Sequence, residues 1–188
     1  MSDHPRQEPV SSRRVMRGRV FSVRRDVVRL PDGRHVRREV VEHPGAVVVA
    51  PLLDDGRILF VRQYRYAAGR HLVELPAGTL EPGEDPAATA ARELQEECGC
   101  RAGRLEPLGT FYSAPGFCTE LLHAYAALDL VPAAAEPDPD EDIEVVVMSL
   151  QEALQQAAGG GLQDAKSLAV LLLLLQRGVV APAGLGML

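Results

Sequence analysis

The stretch Gly78–Cys100, GTLEPGEDPAATAARELQEECGC, decides the fold of this chain. Asp85 suits the capping position ahead of a helix, Pro86 suits its first turn, and Gly99 suits the left-handed residue that ends one. The spacing therefore predicts a helix from Asp85 to Cys98. At about 100° per residue, Ala87, Ala90, Ala91, Leu94 and Cys98 share one face. Glu93, Glu96 and Glu97 share a neighbouring face at spacing i, i+3, i+4. Like charges so placed destabilise a helix. A solvated acidic face is one reading of them. The other is a hard divalent cation, which takes oxygen ligands and bridges carboxylates to phosphates.

Upstream of this helix the text is strand-like. RVFSVRRDVVRL and RHVRREVVEH flank Pro31-Asp32-Gly33 and read as a hairpin. Pro44-Gly45 interrupts the pattern. AVVVAPLL then reads as a fully buried strand, and RILFVRQYRY as another after Asp54-Asp55-Gly56. Downstream, strands are expected at Leu105–Tyr112, Leu121–Leu128 and Ile143–Met148, with helices at Leu150–Ala157 and Asp164–Arg177. Strands and helices do not alternate as regular βαβ units, so the class is a mixed α+β layered fold. The expected organisation is a flexible arm over 1–14, a small N-terminal β element over 15–44, a main domain over 45–178 and a tail over 179–188.

Composition narrows the function. The 188 residues carry a net charge of −6, which argues against broad nucleic-acid binding. The apolar run Leu168–Leu175 is too short to span a bilayer, which takes about 20 residues. The polar N-terminus carries no apolar signal segment, and Cys98, Cys100 and Cys118 are too few and odd in number for a disulfide scaffold. A reducing cytoplasm is the expected compartment. Arginine is dense from Arg13 to Arg70, while carboxylates cluster at Glu74–Glu97 and Glu136–Glu144. An acidic site served by basic residues elsewhere suits a metal-bound phosphate ester.

Read with its flanks, the acidic helix resembles the Nudix box, G-x5-E-x7-R-E-U-x-E-E-x-G-U, where U is a bulky apolar residue. Gly78, Glu84, Arg92, Glu93, Leu94, Glu96, Glu97 and Gly99 match in register, and Cys100 departs mildly at the last apolar position. Chance agreement has odds on the order of 10⁻⁷ at average residue usage. The resemblance implies a Nudix fold, mixed β-sheets sandwiched between helices, and hydrolysis of a diphosphate with Mg²⁺ or Mn²⁺. It implies metal ligation by Glu93, Glu96 and Glu97 with the Ala77 carbonyl. Glu93 and Glu97 thereby serve catalysis. Arg92 orients the carboxylates or is a purely structural bridge. Glu84 aids the metal or braces the loop.

HPGAVVVAP, FVRQYRYA, ELPAG and SAPGFCTE, with Pro115 fifteen residues after Cys100, resemble the ADP-ribose pyrophosphatase branch. That likeness implies hydrolysis of ADP-ribose to AMP and ribose 5-phosphate. The alternatives are another nucleoside diphosphate sugar such as GDP-mannose, a flavin or dinucleotide, or a non-catalytic ADP-ribose-binding sensor. Arg38 and Arg65 are candidate phosphate contacts, since guanidinium suits bidentate recognition, or else ordinary strand arginines. Arg19 or Phe21 is a candidate for stacking on adenine, although Phe21 alone reads as core. Glu120 resembles the branch's loop glutamate, near ribose or a metal-bound water. The general base is expected in the acidic loop DPDEDIE: Glu141 first, Glu144 second. By the same resemblance the chain forms a homodimer through its N-terminal strands.

Overall fold

The computed structural model describes residues 7–135 and 142–179. Ten strands and three helices fall among them, in two compact units. The first unit runs to Gly45 and takes in Tyr112–Leu121; the second takes Ala46–Phe111 and the chain from Leu122.

The first unit is built on an antiparallel sheet of β1 (Glu8–Arg17), β2 (Ser22–Arg29) and β3 (His35–Glu42), in that order. The β2–β3 hairpin closes at the Pro31-Asp32-Gly33 turn, where Gly33 at φ 85° adopts the left-handed backbone that glycine tolerates. Strand β1 corrects the expectation of a loose arm over 1–14. From Glu8 onward the chain pairs with β2, Glu8 opposite Arg29 and Arg17 opposite Ser22. The polar sequence Ser11-Ser12-Arg13-Arg14 disguised that strand, because all ten of its residues are exposed and no apolar alternation was required. A second difference concerns Tyr112–Leu121, which the sequence assigned to the main domain. Val41 N–H donates to the Phe117 carbonyl (2.8 Å) and Thr119 N–H to the Val41 carbonyl (2.9 Å), so this loop belongs with β3.

The second unit holds two sheets. One has the order β7 (Ala77–Thr79), β4 (Ala46–Pro51), β9 (Leu121–Pro132), β8 (Cys100–Tyr112), with β4 and β9 parallel. The other is antiparallel, β10 (Ile143–Met148), β5 (Ile58–Arg65), β6 (Arg70–Glu74). Helix α1 spans Pro86–Cys98, α2 Leu150–Ala158 and α3 Ala165–Arg177. All six residues of β4 are buried because both its faces are covered. Val47 and Val49 join Leu59, Ala90 and Leu94 in one core, on the α1 side. Val48 and Ala50 join Phe60, Leu75, Leu171 and Leu174 in the other, on the α3 side. Each of the valine, leucine and phenylalanine side chains among them contributes roughly 1.5–3 kcal/mol by leaving water, which outweighs any single polar contact at the surface.

Helix ends follow the expected chemistry with one exception. Ser149 and Glu152 form a reciprocal capping box on α2, and the Asp164 carboxylate accepts from Ser167 N–H (3.0 Å) on α3. Asp85 has the capping backbone conformation but makes no side-chain capping bond. Its carbonyl instead accepts from the Thr89 amide (3.0 Å) and hydroxyl (3.3 Å). Val179, expected to begin the tail, packs against the α3-side core; the rest of that tail lies outside the described residues.

Candidate active site

Helix α1 buries Thr89, Ala90, Leu94 and Glu97. The wheel correctly pairs Ala90 with Leu94 but misplaces Ala91, which is exposed, and omits Glu97. Glu97 extends the Ala90–Leu94 stripe by one more turn, so a carboxylate takes a position that packing alone would give to an apolar residue. It is only 6% exposed. One of its oxygens accepts from the Ala77 amide of β7 (3.3 Å). A buried carboxylate is costly unless compensated, and here the strand backbone supplies part of the compensation.

Arg92 sits among the remaining glutamates. Its Nη1 donates to Glu93 Oε1 and to Glu96 Oε2, each at 2.8 Å, and its Nε lies 3.4 Å from Glu84 Oε1. Partial burial works against the guanidinium charge, yet the hydrogen bond with Glu84 and the charge of Glu93 raise its pKa further above the ordinary arginine value. Glu84 is held below the usual carboxylate range chiefly by the Arg92 hydrogen bond. The same carboxylate accepts from the Glu81 amide (3.3 Å), which braces the turn leading into α1. Arg92 therefore offsets the repulsion that the i, i+3, i+4 glutamates exert on one another.

Gly78 completes this half of the site. A Cβ at that position would lie 1.8 Å from Glu93 Oε1, so only glycine allows this carboxylate to rest against the β7 backbone. Among the described residues, no three His, Cys, Asp or Glu side chains are already gathered as a metal cage. The donor set nevertheless fits a hard divalent cation: three glutamates and an adjacent strand carbonyl supply oxygen only. The Gly78 cradle that brings the Glu93 carboxylate to the strand backbone is the structural feature such a site needs.

Arg65 ends β5 in a bidentate pair with Glu74, Nε to Oε1 at 2.9 Å and Nη2 to Oε2 at 2.8 Å. That hydrogen bond raises the Arg65 pKa, and the charges of Glu97 and Asp164 add to it. Glu74 is 2% exposed. Burial alone would raise its pKa, but Arg65 and Lys166 bring it down to about 2. Sequence reasoning missed Glu74, Asp164, Lys166 and Ser167 as neighbours of the site. The available signal was a charged residue inside the otherwise apolar LVELPAG and the one lysine among twenty basic side chains.

Arg19, Phe21, Arg38 and Glu120 belong to the first unit. Arg19 and Phe21 occupy the exposed β1–β2 turn, with Gly18 N–H donating to the Phe21 carbonyl (2.8 Å). Phe21 is 42% exposed, which removes the core reading. Arg38 is exposed on β3 and donates to Gln7 Oε1 (3.2 Å) and the Arg37 carbonyl (3.2 Å). Glu120 Oε1 lies 3.7 Å from His43 Nδ1, but that nitrogen accepts from Gly45 N–H (3.1 Å). Glu120 thus keeps its carboxylate for another donor than this nitrogen. Glu141 lies outside the described residues, whereas Glu144 is fixed in β10 opposite Arg62, its Oε2 3.3 Å from Arg62 Nη1. Burial pushes the Cys98 and Cys100 thiols above their ordinary pKa, which keeps both unreactive.

Comparison with known proteins supplies the family. The chain is 39% identical over 163 residues to a protein named ADP-ribose pyrophosphatase from Bacillus subtilis, covering 86% of this chain and 88% of that one. It is 48% identical over 124 residues to an ADP-ribose pyrophosphatase from Mycobacterium tuberculosis, covering 65% of this chain and 60% of the relative. A crystal structure of an ADP compounds hydrolase superposes with a TM-score of 0.83 at 24% identity, covering 96% of this chain and all of that one, and so shares the fold. Residues 8–42 match the nucleoside diphosphate sugar hydrolase N-terminal domain. With the NUDIX domain matched over residues 41–171, the chain belongs to the Nudix family.

Proposed function

We propose that this chain is a divalent-metal-dependent pyrophosphatase that hydrolyses ADP-ribose to AMP and ribose 5-phosphate. The observation that carries the hydrolytic reading is the α1 glutamate set, complete at every charged position of the motif and held by Arg92 at 2.8 Å from both Glu93 and Glu96. A sensor that only bound the ligand would have no need of it. The substrate reading is supported by the names of the two relatives described above, at 39% and 48% identity.

Glu93, Glu96, Glu97 and the Ala77 carbonyl would hold Mg²⁺ or Mn²⁺. When bound, such an ion neutralises diphosphate charge and lowers the pKa of a coordinated water. The protein's own contribution is positional. Arg92 keeps the carboxylates oriented, and the Ala77 amide fixes Glu97 so that little reorganisation is needed at the moment of reaction. Arg65, with two of its five N–H donors on Glu74, retains the rest for a diphosphate oxygen. Arg38 is a second anion contact, Arg19 or Phe21 offers a flat surface to adenine, and Glu120 addresses the ribose. Glu141 takes the proton from the attacking water.

Strand β1 supports a homodimer in which these first-unit residues serve a partner's substrate. It is a fully exposed edge strand carrying Val10, Val15 and Met16, and an uncovered edge of that kind invites another copy. Among the described residues no helix is long and apolar enough to cross a membrane. The cytoplasm, with its reduced thiols, is the compartment in which the three free cysteines fit best.

The test is a substrate panel with Mg²⁺, in which phosphate released from AMP and sugar phosphate is detected after coupled phosphatase digestion. ADP-ribose should be turned over with the highest kcat/KM. A higher value for GDP-mannose or a dinucleotide would move the assignment to that substrate, and binding without turnover on every compound would support the sensor.

A further inference from the structure

Lys166 is the chain's one lysine, and its position is electrostatically awkward. It occupies the first turn of α3, where the helix dipole disfavours a cation. Its Nζ contacts Glu74 Oε2 and Asp164 Oδ2, the latter at 3.0 Å. The two carboxylates outweigh the dipole. Ser167 ties the same turn to β6's exit: its hydroxyl donates to Asp164 Oδ2 (2.6 Å) and accepts from Leu75 N–H (2.7 Å), two residues before Ala77.

In this group Glu74 contacts both cations, Arg65 and Lys166, whereas Asp164 contacts Lys166. Glu74 alone would fix the Arg65 guanidinium but cancel its charge. We infer that Lys166 is a positioning residue for Arg65, sharing Glu74 so that the arginine is held rigidly yet still presents positive potential to a substrate diphosphate. This rests on the reading of Arg65 as a diphosphate contact. In this arrangement geometry and charge are supplied by different residues. Glu74 grips, Lys166 compensates, and Asp164 sets how far the compensation goes.

The test uses the full chain and two readouts: KM and kcat on ADP-ribose, and the Kd of inorganic pyrophosphate by calorimetry. Lys166→Met should raise KM and the pyrophosphate Kd about 10-fold while kcat changes less than about two-fold, since a charge acting at a distance is removed from binding. Lys166→Arg should stay within about three-fold of wild type on both readouts. Asp164→Asn should tighten pyrophosphate binding several-fold, because it removes an opposing charge while asparagine still caps the helix. That variant also keeps the test decisive if Lys166→Met does not fold. Ser167→Ala, which loosens the α3 docking without changing charge, should lower Tm and leave the pyrophosphate Kd near wild type.

A lowered Tm in Lys166→Met with unchanged KM and Kd would reduce Lys166 to a structural bolt. So would an equal loss of binding in Ser167→Ala, or unchanged or weaker binding in Asp164→Asn. A wild type that binds no pyrophosphate also overturns the inference. A wild type that binds pyrophosphate but leaves ADP-ribose uncleaved overturns the substrate assignment instead, and the ratio of pyrophosphate Kd values still decides the role of Lys166.

Discussion

The Glu93 carboxylate rests against Gly78 so closely that no side chain fits between them: a Cβ would lie 1.8 Å from Oε1 and 1.9 Å from Cδ. The obstacle is the end of a flexible side chain, so Gly78→Ala should fold with little change in Tm and displace Glu93 instead. A misplacement of about an ångström at a catalytic ligand costs roughly 10²-fold in rate. The expected outcome is a normal melting curve with kcat/KM down by about that factor. Full activity would show that the Glu93 position does not matter.

Glu97 offers the sharper test of the metal assignment. It is buried, anchored by the Ala77 amide, and would contribute a hard anionic oxygen. Glu97→Gln keeps the shape and removes the charge. Most turnover should vanish, a loss of several kcal/mol in transition-state stabilisation, while circular dichroism and Tm stay close to wild type. Near wild-type turnover at saturating Mg²⁺ would sink the assignment.

The legibility of this chain followed the physics of each segment. Strand β4 was readable because burial on both faces demands an unbroken apolar run, Ala46–Pro51, and β10 because its strand run begins directly after the acidic segment. The glutamates of α1 were readable because their spacing is unfavourable without a compensating partner. Strand β1 was not, since an exposed edge strand needs backbone pairing but no hydrophobic pattern. Glu97 was read as a ligand but not as buried, because a helical wheel sorts residues by polarity and cannot foresee a strand amide arriving at 3.3 Å. The Glu74–Lys166 contact joins residues on β6 and α3 and leaves no local trace in the sequence.

Dimerisation can be checked through the exposed edge. Replacing Val10 and Val15 of β1 with lysine should blunt pairing there without removing any buried contact, since both are exposed. Sedimentation should then show monomers with normal secondary structure and a raised KM for ADP-ribose. Folded monomers with unchanged substrate affinity would refute cross-subunit service by Arg19 and Phe21.

Glu74 gives a pH dependence whose sign is fixed. Its folded pKa, about 2, lies below the ordinary 4.5, so its stabilisation is complete above about pH 4.5 and is lost as pH falls towards 2. The full contribution is about 3 kcal/mol, of which roughly 2 kcal/mol disappears between pH 6 and pH 3. Other carboxylates cancel when wild type is compared with Glu74→Gln. The difference in unfolding free energy between the two should therefore shrink by that amount over this interval. A difference that stays constant with pH would show that Glu74 is not ionised against Arg65 and Lys166.

The two candidates for general base, Glu141 and Glu144, can be separated by mutation. Glu144 is held in β10, paired in register with Arg62 and 3.3 Å from its guanidinium. Glu141 lies within a run of five carboxylates from Asp138 to Glu144. Like charges so close in sequence repel one another, and a bound cation offsets that repulsion. Glu141→Gln should lower kcat roughly 10²- to 10⁴-fold, as for a lost general base, with ADP-ribose affinity little changed. Glu144→Gln should lose only its surface pair with Arg62, worth about 0–1 kcal/mol of stability, and keep its rate. A near-normal kcat for Glu141→Gln beside a collapsed one for Glu144→Gln would transfer the role to Glu144. Normal rates for both, at saturating metal, would remove the segment from the chemistry and leave the proton to a group on α1 or in the Glu120 loop.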